Sequence, residues 1–222
     1  MFALLKKMKK KLLLLFSLFS LHQGLSAKDV PMIGVYSGSF DPPTKAHHKI
    51  ISKIIAEQKF DALIVYVNRY GSKSFQVSPE QRKSMLETML EGEVVTVVIQ
   101  SNPDKRIDYQ KMREPGQGLA LIIGEDSYFK RLALPEEQRI SVDRIFVIPR
   151  FSVFTDLEAA LGSNAHILYV PNIQDISSTR IRRQLQLGDL SEIALEEGVL
   201  RYIVENHLYS VSENVGSQGD GT

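Results

Sequence analysis

The sequence predicts an α/β fold built on a doubly wound, mostly parallel sheet with helices on both faces. Three observations predict it. Short apolar or β-branched runs recur along the chain, and several lack the polar alternation of a half-exposed strand, as strands covered on both sides should. Stretches with helical apolar spacing stand between those runs, and strand alternating with helix is the pattern of a parallel sheet. No repeat of fixed period is visible in the 222 residues, so a solenoid is not expected.

Taken in order, residues 1–26 carry Lys6, Lys7, Lys9, Lys10 and Lys11 and no acid, and the apolar run Leu12 to Leu21 follows at once. That run is shorter than the ~20 residues a membrane span requires, but it matches the ~7–15 of a secretory leader. Gly24-Leu25-Ser26 offers a small-residue cleavage site, and Met8 is an alternative start. The competing reading is an uncleaved amphipathic extension. The folded body is expected over 31–209. Strands are expected at Met32 to Tyr36, Ala62 to Val67, Val94 to Ile99, Leu119 to Ile123, Ile145 to Ile148 and Ile167 to Val170. Ile50, Ile51, Ile54 and Ile55 stripe one helix. Met85, Leu86, Met89 and Leu90 stripe another, opened by the capping box Ser78-Pro79-Glu80-Gln81 with proline at the first helical position. Residues 210–222 are polar and glycine-rich without apolar period, and read as a disordered tail.

Composition excludes several classes of function. There is no cysteine, which rules out a disulfide scaffold, a thiolate nucleophile and zinc-finger or iron–sulfur ligation. The 27 basic residues balance 26 acidic ones, so the chain lacks the field of a dedicated nucleic-acid binder. Setting aside the five leader lysines leaves 22 basic residues against 26 acidic ones, a mildly acidic body. Informative positive charge is therefore local.

In a sheet of this class ligands bind beyond the carboxyl ends of the strands. The first such loop reads Gly38-Ser39-Phe40-Asp41-Pro42-Pro43-Thr44-Lys45-Ala46-His47-His48. Small residues, two prolines and a helix start form a turn whose amides can face an anion, although the same composition describes a plain turn. It has neither the Walker A ending nor three spaced glycines. His47 and His48 project about 100° apart, so one of them faces the loop. The second phosphate-like segment is Asp175-Ile176-Ser177-Ser178-Thr179-Arg180-Ile181-Arg182-Arg183. Its hydroxyls and first-turn amides suit phosphate oxygens. Its arginines lie at the positive end of the helix dipole, which is unfavourable unless an anion compensates.

The string from Gly38 to His47 resembles the GxFxPx(H/T)xxH signature of the nucleotidyltransferase superfamily, with Thr44 and His47 on the last element and Ala46 where glycine is usual. The segment from Ile176 to Arg182 resembles the ISSTxIR signature of the nicotinate or nicotinamide mononucleotide adenylyltransferases, and Tyr202 to Tyr209 looks like their closing helix. The resemblance implies a Rossmann-like sheet and transfer of AMP from ATP to a pyridine mononucleotide, releasing pyrophosphate. It implies that His47, Thr44 and Arg182 act in the transfer. It implies that Gly38, Ser39, Phe40 and His47 meet ATP with Ser177, Ser178, Thr179 and Arg182, and that Arg183 is a supporting charge. Gly124 and Asp126, in Ile122-Ile123-Gly124-Glu125-Asp126-Ser127, are similar to the element that contacts ribose hydroxyls, although Asp126 is equally a plain helix cap. Acceptor contacts are expected from Tyr70, Lys73 and Arg82. The family commonly stacks the pyridine on tryptophan; this chain has none, and Tyr70, Phe75 or Tyr128 is the expected substitute.

Magnesium is expected to arrive with ATP, without a protein metal cage. No nucleic-acid partner and no stable membrane span are expected, and a homo-oligomer is an open option. The enzyme class is cytoplasmic, whereas the leader points to export. Two alternatives remain: phosphopantetheine adenylyltransferase, and a non-catalytic exported nucleotide-binding protein.

Overall fold

The computed structural model describes residues 30–57, 60–69, 75–101, 112–150 and 154–209. The leader and the tail expected at 1–26 and 210–222, and the candidates Tyr70 and Lys73, lie outside them.

Six strands form one sheet: β1 (Met32–Gly38), β2 (Ala62–Val67), β3 (Thr96–Ile99), β4 (Gly118–Gly124), β5 (Arg144–Ile148) and β6 (Ala165–Ile167). Their order is β3-β2-β1-β4-β5-β6, and all five pairings are parallel. Val35 of β1 lies in register with Ile64 on one side and Leu121 on the other. The strand order reverses between β1 and β4. Connections leave in opposite directions there, which opens a crevice at the carboxyl ends of these two strands.

The helices are α1 (Lys45–Ala56), α2 (Pro79–Met89), α3 (Glu125–Leu132), α4 (Phe154–Ala160), α5 (Ser178–Gln186) and α6 (Glu197–Glu205). One face of the sheet carries the larger core, where Ile50, Ile51 and Ile54 of α1 meet Met85 and Leu86 of α2, Ile181 of α5 and Val199 and Ile203 of α6. The opposite face packs Ile33, Val35, Leu119 and Leu121, with Tyr128 of α3 and Leu157 of α4 alongside Ile145 and Val147. Covering on both faces explains why the strands read as apolar runs. Both isoleucine and methionine stripes point inward, and the Ser78 capping box forms with Gln81.

The first, fourth and fifth strands run one or two residues beyond their expected ends, and three larger boundary differences have a physical cause. The third strand starts at Thr96, because Val94 is 89% exposed and contributes nothing to the sheet. The sixth is Ala165–Ile167 rather than 167–170: the Leu168 N–H still donates to the Val147 carbonyl at 2.8 Å, after which the chain turns off toward Pro171. Leu168 and Val170 stay buried without being strand, so apolar character alone overextended it. The closing helix runs Glu197–Glu205 and stops before Tyr209; His207 and Tyr209 both have left-handed backbone angles (φ 51° and 61°) that a helix does not tolerate. No helix among the described residues is long and apolar enough to cross a membrane.

The packing of α2 on α6 depends on a small residue. A Cβ built at Gly198 would lie 2.9 Å from the Thr88 methyl. Gly198→Val is therefore expected to lower unfolding stability by about 1–3 kcal/mol in urea titration, as overpacking does. Thr88→Ser, which removes that methyl, should return part of the loss in the double variant.

Candidate functional site

The loop after β1 has no regular structure, so its carbonyls must be satisfied by something else. Five partners do this. Gly38 O accepts from Asn68 N–H at 2.9 Å, Ser39 O and Asn68 O both accept from the Arg82 guanidinium, and Asp41 O accepts from Arg182 Nη1 at 2.7 Å. Pro42 O accepts from the Ser178 hydroxyl at 2.8 Å, and Thr44 O accepts from His48 N–H at 3.1 Å. The C=O and N–H of a trans peptide point in opposite directions. With the Gly38 and Ser39 carbonyls turned into the protein, the Ser39 and Phe40 amides are turned the other way, toward the crevice. Phe40 itself is 1% exposed with φ 51°, and its ring packs edge-on against Tyr36 and His47. A Cβ at position 38 would lie 2.9 Å from that ring, so only glycine lets the loop close over it.

Helix α1 begins at Thr44, which is 1% exposed and caps it. The cap is a capping box with histidine at its third position: Thr44 Oγ1 accepts from His47 N–H at 3.5 Å, and His47 Nδ1 accepts from Thr44 N–H at 2.9 Å. A backbone N–H can only donate, so Nδ1 carries no proton. The neutral ring must then hold its hydrogen on Nε2. Burial, reinforced by the charge of Arg150, pushes the His47 pKa down to about 3. His47 is thus a neutral ring with a fixed tautomer and one N–H donor available. Its neighbour His48 turns away, with Nδ1 2.7 Å from Glu196 Oε1, as the 100° offset requires.

Helix α5 brings the second phosphate-like segment onto the first. Ser177 caps it, accepting from Arg180 N–H at 3.2 Å, and Ser178 and Arg182 bond directly to the β1 loop. Arg182 Nη2 also donates to Thr179 Oγ1 at 3.4 Å. The leading amides of a helix have no carbonyl within it to bond, so α5 presents donors beside those of the loop. Thr179 and Arg183 are exposed and Arg182 is half-buried. Two segments more than 130 residues apart thereby form one donor-rich cradle.

The other expected residues divide. Gly124 is the N-cap of α3 and Asp126 is exposed in its first turn, at the carboxyl end of the strand beside β1. Arg82 is not the exposed cation expected of an acceptor site. It is 0% exposed, with Nη1 spent on the Ser39 and Asn68 carbonyls and Phe75 stacked 4.1 Å from its guanidinium carbon. Burial draws its pKa down, opposed chiefly by the charge of Asp41. Tyr128 cannot stack on a ligand, because it is 1% exposed on the far face and its hydroxyl accepts from Gly162 N–H at 2.8 Å. Among the described residues no group of three or more His, Cys, Asp or Glu side chains is placed to hold a metal.

A model of the cytidylyltransferase-like family matches residues 35–184, which contain both loop segments. The chain belongs to the cytidylyltransferase-like family. Within the family it is 28% identical over 200 residues to a probable nicotinate-nucleotide adenylyltransferase of Leptospira interrogans, covering 81% of this chain and 97% of the relative. It is 31% identical to a phosphopantetheine adenylyltransferase of Desulfotalea psychrophila, over 54% of this chain and 72% of that one. Its fold superposes on the Plasmodium falciparum nicotinic acid mononucleotide adenylyltransferase complexed with NaAD, with a TM-score of 0.67, 19% identity, and coverage of 81% of this chain and 97% of the other.

Three residues at this site were not singled out from the sequence. Asp41, 3% exposed, is bonded on all sides; Glu125, 4% exposed, accepts from Arg150 N–H at 2.8 Å; and Arg150 supplies the charge felt by His47. An acid at a loop-to-helix junction was the only hint at Glu125.

The neutral state of His47 is measurable. Across pH 5–8, ¹⁵N-detected NMR of its ring should show one protonated nitrogen, Nε2, and no titration. Because the folded pKa lies below the ordinary 6.5, the stability that His47 contributes is full above about pH 6.5 and is lost as pH falls toward 3. A midpoint between pH 5 and 8 would contradict the assignment.

Proposed function

We propose that the chain is a nucleotidyltransferase that moves AMP from ATP to nicotinate or nicotinamide mononucleotide, giving the (deamido-)NAD dinucleotide and pyrophosphate. The observation that carries this reading is the docking of α5 on the β1 loop, which joins amides, hydroxyls and the Arg182 guanidinium in one place. The acceptor class is supported by the nicotinate-nucleotide relatives, whose match spans 81% of the chain, against 54% for the phosphopantetheine one.

A phosphate-monoester oxygen of the acceptor attacks the α-phosphorus of ATP; that bond forms as the bond to the β-phosphate oxygen breaks and pyrophosphate leaves. The nucleophile is already anionic at neutral pH, so no base is needed. The protein aligns the reactants and stabilises charge on the transferring group. His47 donates Nε2–H to the α-phosphate. A neutral donor suits this task, since its hydrogen bond strengthens as negative charge builds and it surrenders no proton. Thr44 fixes that ring, and the Ser39 and Phe40 amides beside Gly38 position the same phosphate. Arg182, with Ser177, Ser178 and Thr179 at the start of α5, holds the β and γ phosphates, and Asp126 beside Gly124 reaches the ribose. Magnesium enters as the counter-ion of the triphosphate. Residues 1–26 are read as an export leader, and fractionation of a tagged full-length protein tests that.

His47→Ala should lower turnover by a factor of ~100 or more, the scale of losing one transition-state donor. Pyrophosphate release at the parent rate would sink the assignment. Arg182→Ala should raise KM for ATP with a smaller change in kcat. The acceptor is identified by pyrophosphate release: release with a pyridine mononucleotide selects this reading, release with phosphopantetheine selects the other adenylyltransferase, and ATP binding without release selects a non-catalytic binder.

A further inference from the structure

Asp41 is the only residue of the β1 loop whose carboxylate is buried, and its bonds reach three separate parts of the chain. Oδ1 accepts from the Tyr209 hydroxyl at 2.8 Å, across 168 residues. Oδ2 accepts from Gln76 N–H at 3.1 Å and lies 3.8 Å from Arg182 Nη1, the same nitrogen that donates to the Asp41 carbonyl. Tyr209 is 6% exposed and holds a left-handed backbone angle unfavourable for a bulky side chain. Such a conformation persists only where its surroundings over-determine it. Burial and the neighbouring carboxylate push the phenol pKa far up, so the hydroxyl stays a donor at every pH of interest.

We propose that Tyr209 is a positioning residue for the phosphate cradle: its hydroxyl holds the Asp41 carboxylate, and Asp41 in turn sets the guanidinium of Arg182. The inference rests on the reading of Arg182 as a triphosphate ligand. The physical step is a competition for one carboxylate. With Tyr209 in place, Oδ1 is satisfied and Arg182 stays on the Asp41 carbonyl with other N–H groups left over. Without that hydroxyl, Oδ1 lacks a donor while buried, which is costly, and the Arg182 guanidinium already stands 3.8 Å from the other oxygen of the same carboxylate. The guanidinium then swings into a closer ion pair with Asp41 and away from the phosphates.

The experiment is calorimetric titration of magnesium-ATP, without acceptor, into the full chain and its Tyr209→Phe, Arg182→Ala and doubly substituted forms, with Tm recorded for each. Tyr209→Phe is expected to weaken ATP binding about three- to tenfold, the scale of one lost hydrogen bond to a charged group. The double variant is expected to bind no more weakly than Arg182→Ala alone, because the hydroxyl acts through that arginine. At saturating ATP, kcat of Tyr209→Phe should stay within about twofold of the parent, a modest change on the scale where 1.4 kcal/mol is tenfold. A merely structural Tyr209 would lower Tm and leave ATP affinity unchanged, and that result overturns the inference. So does additivity of the two substitutions. If Arg182→Ala itself binds ATP like the parent, the reading of Arg182 fails first and the inference falls with it; if Arg182→Ala is weakened and Tyr209→Phe is not, the inference fails alone.

Discussion

The site depends on where the β1 loop sends its carbonyls. A loop between strand and helix has polar backbone groups on every residue and no ladder to absorb them. Here the acceptors are claimed from inside by Asn68, Arg82, Arg182 and Ser178, and the geometry of the peptide unit then leaves amides facing the crevice. The claimants come from three places: the end of β2, α2 and, for both Arg182 and Ser178, α5. The strand order, the cap of α2 and the approach of α5 all have to be right before the loop takes this form.

The same economy governs His47. Its ring closes the N-terminus of α1 and, by accepting there, is left with its only hydrogen on the other nitrogen. Burial and Arg150 keep it neutral. One side chain therefore serves helix initiation and, in the proposed reaction, phosphate recognition. Replacing it removes the reciprocal bond of the capping box as well as a donor.

Much of the fold was legible because local rules and tertiary structure agree. The strands buried on both faces, the two striped helices and the Ser78 capping box follow from periodicity and cap chemistry. The sixth strand was misplaced because Leu168 and Val170 are buried for packing rather than pairing, which apolar character cannot distinguish. Within the site, the short-range features could be read: the turn residues, the Thr44 and His47 spacing, the hydroxyls and arginines of α5. What could not be read was everything set by distant contact. Arg82 looks like a surface cation in sequence and is the fully buried brace of the loop, because two carbonyls and an aromatic ring wait for it. Asp41 looks like a turn residue, and nothing local announces Tyr209 as its partner.

That last contact also bears on how the molecule is made. A chain emerging from the ribosome produces the β1 loop early and Tyr209 only when nearly all of the body has been built. Until then Asp41 has no phenol to meet, α5 is absent or unanchored, and the loop lacks two of the claimants that shape it. A partly made chain thus carries the histidine and the Gly38–Pro43 turn without the α5 contacts that complete the cradle. The cradle therefore takes its full form only after the last part of the body, the turn that carries Tyr209, has joined the first.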